Sequence, residues 1–203
     1  MEEERFGKEY QEEFGALDYM PWRPIGWFWK YLVPPMRILV VGAPLPKHIG
    51  VFVERGDDVY FIDISDYAVK KSISSIVQRY GSLPKNIHIL KGDIRKTEFP
   101  DKFFDLVICR YILEHYGPEE NMKILREIYR ITKKYAVIGV TTLDVKPDHL
   151  EADPTHVTKW TFNQWKSFIE SSGLFRILAK KKSSEIFFLE KIDTEKTLGK
   201  WLK

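Results

Sequence analysis

The stretch that decides the fold is Arg37-Ile-Leu-Val-Val41, followed by Gly42-Ala-Pro-Leu-Pro-Lys47 and then, after a helix, Val59-Tyr-Phe-Ile-Asp63. It reads as an apolar strand, a tight loop, a helix and a second apolar strand with an acid at its tip. In an open α/β sheet that succession is how a ribose-bearing cofactor is held. The loop is unusual for such a site because it carries Pro44 and Pro46 where glycines would let the backbone approach a ligand.

Outward from this stretch the chain keeps alternating. Short apolar runs at 37–41, 58–62, 87–90, 104–109 and 135–141 read as strands buried on both faces, which is how parallel strands look. Residues 66–80 carry Val69, Ile73, Ile76, Val77 and Tyr80 on one helical stripe, with Ser65 or Asp66 as cap. A second helix runs over 118–132, with Pro118 in its first turn, Glu119 and Glu120 at its positive end, and Leu125, Ile128 and Ile131 on its apolar face. Thr161 and Gln164 form a capping box, and Gly173 supplies the stop. Two last apolar runs, 174–179 and 186–190, flank Lys180-Lys-Lys-Ser-Ser184 and read as a hairpin. The expected fold class is α/β: a seven-stranded, mostly parallel, doubly wound sheet with a C-terminal antiparallel hairpin.

Residues 1–36 differ in kind. They hold Trp22, Trp27, Trp29, Pro21, Pro24, Pro34 and Pro35, with a short helix expected near 5–14. Burying a large ring is worth about 1.5–3 kcal/mol, so this segment is expected to pack over the core, as a lid or flap or as plain core packing. The organisation expected is thus an aromatic segment (1–36), one α/β domain (37–192) and a tail (193–203).

With 203 residues and 44% hydrophobic content the chain suits one core. Its 32 basic and 29 acidic side chains interleave, so no nucleic acid is indicated as partner. One cysteine, Cys109, excludes an intrachain disulfide and a cysteine-built metal site, and no metal site is read elsewhere. The acidic start Met1-Glu-Glu-Glu-Arg5 is not a basic signal-peptide region, and no apolar run reaches the ~20 residues of a membrane span. A cytoplasmic location is expected, and the heavy use of Lys, Glu and Ile suits a thermophilic source.

A dinucleotide dehydrogenase would need G-x-G-x-x-G, and Gly42, Pro44 and Lys47 stand at those positions. Residues 37–190 instead resemble the class I, S-adenosylmethionine-dependent methyltransferases. Gly42 takes the place of the family's first loop glycine, Arg55-Gly56 follows at the usual spacing, and Phe61-Ile-Asp-Ile-Ser65 is similar to the second strand tip. Gly92-Asp-Ile94, the run Phe104–His115, Leu125–Ile131, and Asp153-Pro-Thr-His-Val157 with Trp160–Trp165 resemble the later motifs. Val40 stands where the family usually has an acid, and Pro44 and Pro46 replace its second and third glycines.

The resemblance implies S-adenosylmethionine as cofactor, with Gly42, Asp63, Ile64, Asp93, Ile94, Cys109 and Arg110 around it. Asp63 would accept the two ribose hydroxyls, because two donors need a two-oxygen acceptor. Asp93 would accept from the adenine amine, with Ile94 beside the ring. Lys47 or His48 could face the cofactor's carboxylate, or Lys47 could simply be solvated.

Methyl transfer to oxygen needs a group that takes a proton near neutral pH, which suits histidine. His156 is the first candidate and His115 the second, with structural hydrogen bonding the alternative for each; Glu114 and Tyr111 are possible polar liners. The acceptor expected is a small molecule, lipid or sugar. Two other readings stay open: a methyltransferase-like scaffold without catalysis, and a nucleotide or sugar-phosphate enzyme, which the donor-poor loop disfavours.

Overall fold

The computed structural model describes Arg5, Lys8, residues 32–44 and residues 46–193. The helix expected near 5–14, apart from Arg5 and Lys8, the aromatic segment through residue 31 and the tail beyond 193 lie outside the described residues.

Strands β1 (Arg37–Val41), β2 (Asp58–Asp63), β3 (Ile87–Lys91), β4 (Phe104–Arg110), β5 (Thr132–Gly139), β6 (Phe175–Lys181) and β7 (Ile186–Lys191) form one sheet in the order β3-β2-β1-β4-β5-β7-β6. The first five strands run parallel, and β7 pairs antiparallel with both β5 and β6. This is the expected α/β sheet with its antiparallel end. Along β1 successive residues alternate between two cores: Ile38 and Val40 point to one, Leu39 and Val41 to the other. Helices α1 (Pro46–Arg55) and α2 (Asp66–Tyr80) cover the first face with Ile49, Phe52, Val69 and Ile76. Helices α3 (Pro118–Ile131) and α5 (Phe162–Ser171) cover the second with Ile124, Leu125, Ile128, Trp165 and Ile169. A short α4 (Pro147–Ala152) lies in the β5–α5 connection.

The sequence signals for helix ends hold in detail. Ser65 caps α2, its hydroxyl accepting the Ala68 amide at 3.2 Å, and Gly81 ends it at φ +80°. Both halves of the Thr161–Gln164 capping box are present. Strand β5 departs from expectation: it spans Thr132–Gly139 rather than 135–141. Helix α3 ends at Ile131 and the strand begins at the next residue, so the polar pair Lys133-Lys134 lies inside it. Val140 and Thr141 have already left β5 for the loop, where the Val140 amide donates to the Glu185 carbonyl.

The helices that follow β1 and β4 pack on opposite faces, so the sheet's crossovers change side between these neighbours. The crevice beyond their carboxyl ends is where open α/β sheets take ligands.

Candidate functional site

The tips of the five parallel strands, β1 to β5, build the carboxyl edge. After β1, Gly42 sits at φ +109°, a conformation that favours glycine, and nothing lies within 4 Å of where a Cβ would project. Its amide donates to the Ile62 carbonyl at 2.7 Å, tying the loop to β2. The proline loop is pinned through its carbonyls: the Ser72 hydroxyl donates to Pro44 O and the Tyr80 hydroxyl to Pro46 O, both from α2. Val40, in the position where the related family has an acid, is a core residue.

Asp63, at the tip of β2, is only partly covered. Its Oδ2 accepts the Ala43 amide at 2.9 Å and its Oδ1 the Ser65 amide at 2.8 Å. Burial nonetheless raises its pKa, outweighing those two amides. A carboxylate has about four lone-pair sites, so two amides leave acceptor capacity for two ribose hydroxyls. Ile64 follows, half-buried against the core.

After β3, Asp93 is gripped by Arg95, whose Nε lies 3.0 Å from both carboxylate oxygens and whose Nη2 also donates to Oδ2. Burial pushes the Asp93 carboxyl up, but the Arg95 contacts win and its pKa ends below the usual range. Arg95 also reaches Glu120 at 3.2 Å and stacks over Tyr116. Ile94 is buried in the core. The sequence reading missed the Arg95 fork, although an arginine two residues beyond an acid is a visible signal.

Beyond β4, Cys109 and Arg110 are both buried. The Cys109 side chain is fully buried among core residues, and burial, with Glu114 nearby, drives its thiol pKa up, so a cofactor could meet only its backbone. Arg110 is 3% exposed, packed against Gly139 and donating to the Tyr111 hydroxyl at 3.0 Å. Tyr111 itself takes φ +57°, turning the chain out of the strand. His48 is buried in the first turn of α1.

The two histidines come together. His115 stands on a 3-10 turn (Leu113–His115) after β4, and His156 on the turn after α4; their ring centroids are 4.7 Å apart. Glu114 fixes this meeting from inside. Its carbonyl accepts the Val157 and Thr158 amides at 2.8 and 2.9 Å, and its Oε1 accepts the Thr141 amide at 2.8 Å. Burial raises its pKa to about 7. A second buried carboxylate, Glu185, accepts the Thr142 amide at 2.6 Å and pairs with Lys146 at 2.8 Å. These two acids anchor the 141–158 loop, so Glu114 serves as an internal tether rather than as a lining residue.

His115 Nδ1 lies 2.8 Å from the Thr155 hydroxyl, and that hydroxyl donates to Asp153 Oδ1 at 2.6 Å. His156 Nδ1 lies 3.0 Å from the Leu150 carbonyl. Burial, then the neighbouring His156, hold the His115 pKa well below its ordinary value, so it is a neutral base at pH 7. The Asp153–Val157 motif by itself assigns Asp153 no role. Its partner, His115, is 38 positions earlier in the chain, and only the fold joins them.

Comparison with known proteins agrees with this architecture. Residues 39–139 match a family model described as a methyltransferase domain. An uncharacterized methyltransferase, YcgJ of Bacillus subtilis, is 25% identical over 148 residues, covering 68% of this chain and 56% of the relative; the chain thus spans little more than half of that protein. Among solved structures, the PH0226 protein of Pyrococcus horikoshii superposes with a TM-score of 0.69 at 19% identity, covering 92% of this chain and 99% of that one. The magnesium protoporphyrin IX methyltransferase of Synechocystis, solved with S-adenosylhomocysteine, gives 0.62 at 17% identity, covering 83% and 79%. At these identities the structures share the fold. Residues 39–139, just under half of the chain, thus match a methyltransferase domain, and the strand order gives the chain the fold of the Synechocystis methyltransferase.

Proposed function

We propose that the chain transfers a methyl group from S-adenosylmethionine to a small-molecule, lipid or sugar acceptor that remains to be identified, with His156 and His115 on the acceptor side. The observation that carries this reading is the histidine pair, with rings 4.7 Å apart at the sheet edge that also bears Gly42 and Asp63. When bound, the cofactor supplies an electrophilic methyl carbon on a sulfonium. Asp63 takes the ribose hydroxyls, the open space above Gly42 receives the neighbouring part of the cofactor, and Asp93 with Ile94 faces the adenine. The donor-poor loop leaves the amino-acid end to other groups, because Ala43 N is already given to Asp63 and two prolines have no N–H.

His156 orients an acceptor hydroxyl and takes its proton. The Leu150 carbonyl, which can only accept, fixes the proton of His156 on Nδ1 and leaves Nε2 as the basic atom. The Synechocystis neighbour's porphyrin substrate supports a small-molecule acceptor. Among the described residues no helix is long and apolar enough to cross a membrane. The setting we infer is the cytoplasm of a thermophile, on the composition and the single cysteine.

Calorimetry with S-adenosylhomocysteine tests the cofactor half: no heat at high micromolar ligand sinks the reading and leaves the scaffold alternative. Transfer of labelled methyl from S-adenosylmethionine to a panel of hydroxylated small molecules and lipids tests the acceptor half. There His156→Ala should lower kcat while leaving S-adenosylhomocysteine affinity unchanged.

A further inference from the structure

His115, Asp153 and His156 present one nitrogen or oxygen each, and the three atoms all lie within 4.8 Å of one another. All three side chains are nearly enclosed. The Thr155 hydroxyl spends its proton on Asp153 Oδ1, so it accepts from His115, whose proton therefore sits on Nδ1. His156 carries its proton on Nδ1 as well, toward the Leu150 carbonyl. His156 thus presents a lone pair on Nε2, and His115 offers a ring nitrogen within the same cluster. A ring whose Nδ1–H is fixed by a carbonyl, or by a hydroxyl backed by a carboxylate, has the outer contacts that histidine metal ligands carry.

A second observation points the same way. His156 Nε2 faces Asp153 Oδ2 at 3.8 Å. A nitrogen and a carboxylate oxygen so placed already stand near the spacing of two ligands on one ion.

We propose that His115, Asp153 and His156 form a three-ligand site for a divalent first-row transition ion of the zinc type, whose remaining coordination positions take an oxygen of the methyl acceptor. Around a tetrahedral ion with bonds near 2.1 Å, ligand atoms stand about 3.4 Å apart. The 3.8 Å pair is already close to that spacing, and the widest pair needs to close by no more than about 1.4 Å. Two imidazoles and one carboxylate suit zinc, iron(II) or cobalt(II); magnesium would want more oxygens, and copper(I) would want sulfur. Three protein ligands leave the ion open, as in catalytic rather than structural sites. Arg5, which donates to the Thr155 carbonyl, brings positive charge to the same turn and works against the ion.

The acceptor half rests on the methyl-transfer reading. An acceptor hydroxyl bound to the ion gives its proton to solvent. The resulting oxygen forms the new O–CH3 bond as the S–CH3 bond breaks, and the sulfonium becomes the neutral thioether. With the ion bound, His156 acts through it as a ligand, and the base role given to His156 above belongs to the metal-free chain.

The test is titration of tag-free, chelator-stripped protein with cobalt(II) chloride. One equivalent should bind with visible ligand-field absorption that zinc abolishes by competition. His115→Ala, His156→Ala and Asp153→Asn should each weaken binding at least about tenfold, whereas His149→Ala, at an exposed position of α4, should not, and Arg5→Gln should tighten it. Absence of stoichiometric binding by the wild-type protein overturns the proposal, whatever the variants do. So does binding that survives His156→Ala and is lost with His149→Ala. S-adenosylhomocysteine binding by the metal-free protein is read separately. Cobalt binding without cofactor binding defeats the methyl-transfer reading alone, and cofactor binding without cobalt binding defeats the metal site alone.

Discussion

Asp63 spends one carboxylate oxygen on the Ala43 amide and the other on the Ser65 amide, so it joins the β1 loop to the start of α2 before any ligand arrives. Two consequences should separate in Asp63→Ala. Leaving both amides without that acceptor should cost about 1–3 kcal/mol in denaturant unfolding. Loss of the ribose acceptor should weaken S-adenosylhomocysteine binding at least about tenfold by calorimetry, and unchanged affinity would refute the ribose role. The raised pKa of Asp63 adds a pH dependence. Ribose hydroxyls donate to the ionised form, so affinity should hold at neutral pH and fall as pH drops through that raised pKa. For stability the sign is opposite: burial favours the neutral acid, so this contribution is largest below the unfolded value of 3.8 and shrinks as pH rises. Asp93→Ala should cost less affinity than Asp63→Ala, because Arg95 already neutralises that carboxylate. At this scale the sequence was legible where position in the chain places a residue at the sheet edge. Asp63 ends an apolar strand and His115 follows one, whereas His156 follows a short helix. The sequence was silent where burial defines the role, because nothing local distinguishes Glu114 and Glu185, each 0% exposed, from surface acids.

Between elements, the link that holds the carboxyl-edge loop after β3 to α3 is ionic. Glu127 accepts the Thr97 amide at 2.7 Å and the Thr97 hydroxyl at 2.6 Å, and Arg130 binds the same carboxylate while its Nη1 donates to the Phe99 carbonyl. Burial pushes the Glu127 carboxyl up, but Arg130 and Thr97 outweigh it and its pKa ends below 4.5. A depressed acid stabilises the fold above its unfolded pKa and loses that contribution as pH falls through its folded one. Glu127→Gln should therefore lower unfolding free energy by about 1–2 kcal/mol at pH 7, and the difference should vanish in acid. A constant difference at all pH values would mean that the charge is irrelevant. Element boundaries were legible wherever a cap marks them, as at Ser65, Pro118 and Thr161. They were not legible where helix α3 runs straight into β5 without a turn residue. The six-residue α4 escaped notice because only Leu150 is buried in it, too little for a periodic pattern.

For the molecule as a whole, the order of the last two strands shows how burial writes topology into composition. Strand β7 is apolar over Ile186–Leu189 and lies inside the sheet, whereas β6 alternates and ends in Lys180-Lys181 at the open edge, where lysines discourage further pairing. The same sheet couples the site to global stability, because Gly42, Asp63, Asp93 and the histidine turn all hang from strand ends that unfold together. A ligand that binds only the folded chain stabilises it by about 2.7 kcal/mol at one hundred times its dissociation constant. For a chain of this size each kcal/mol moves the unfolding midpoint by roughly 2–4 °C, so saturating S-adenosylhomocysteine should raise it by roughly 5–11 °C. Asp63→Ala should lower the midpoint without ligand and erase most of the rise with it. His156→Ala should leave the rise intact, since the proposed function sets that side chain on the acceptor side. If wild-type protein shows no rise, the proline loop has closed the site to the cofactor. If His156→Ala abolishes the rise as fully as Asp63→Ala does, the division between nucleoside end and acceptor end is wrong.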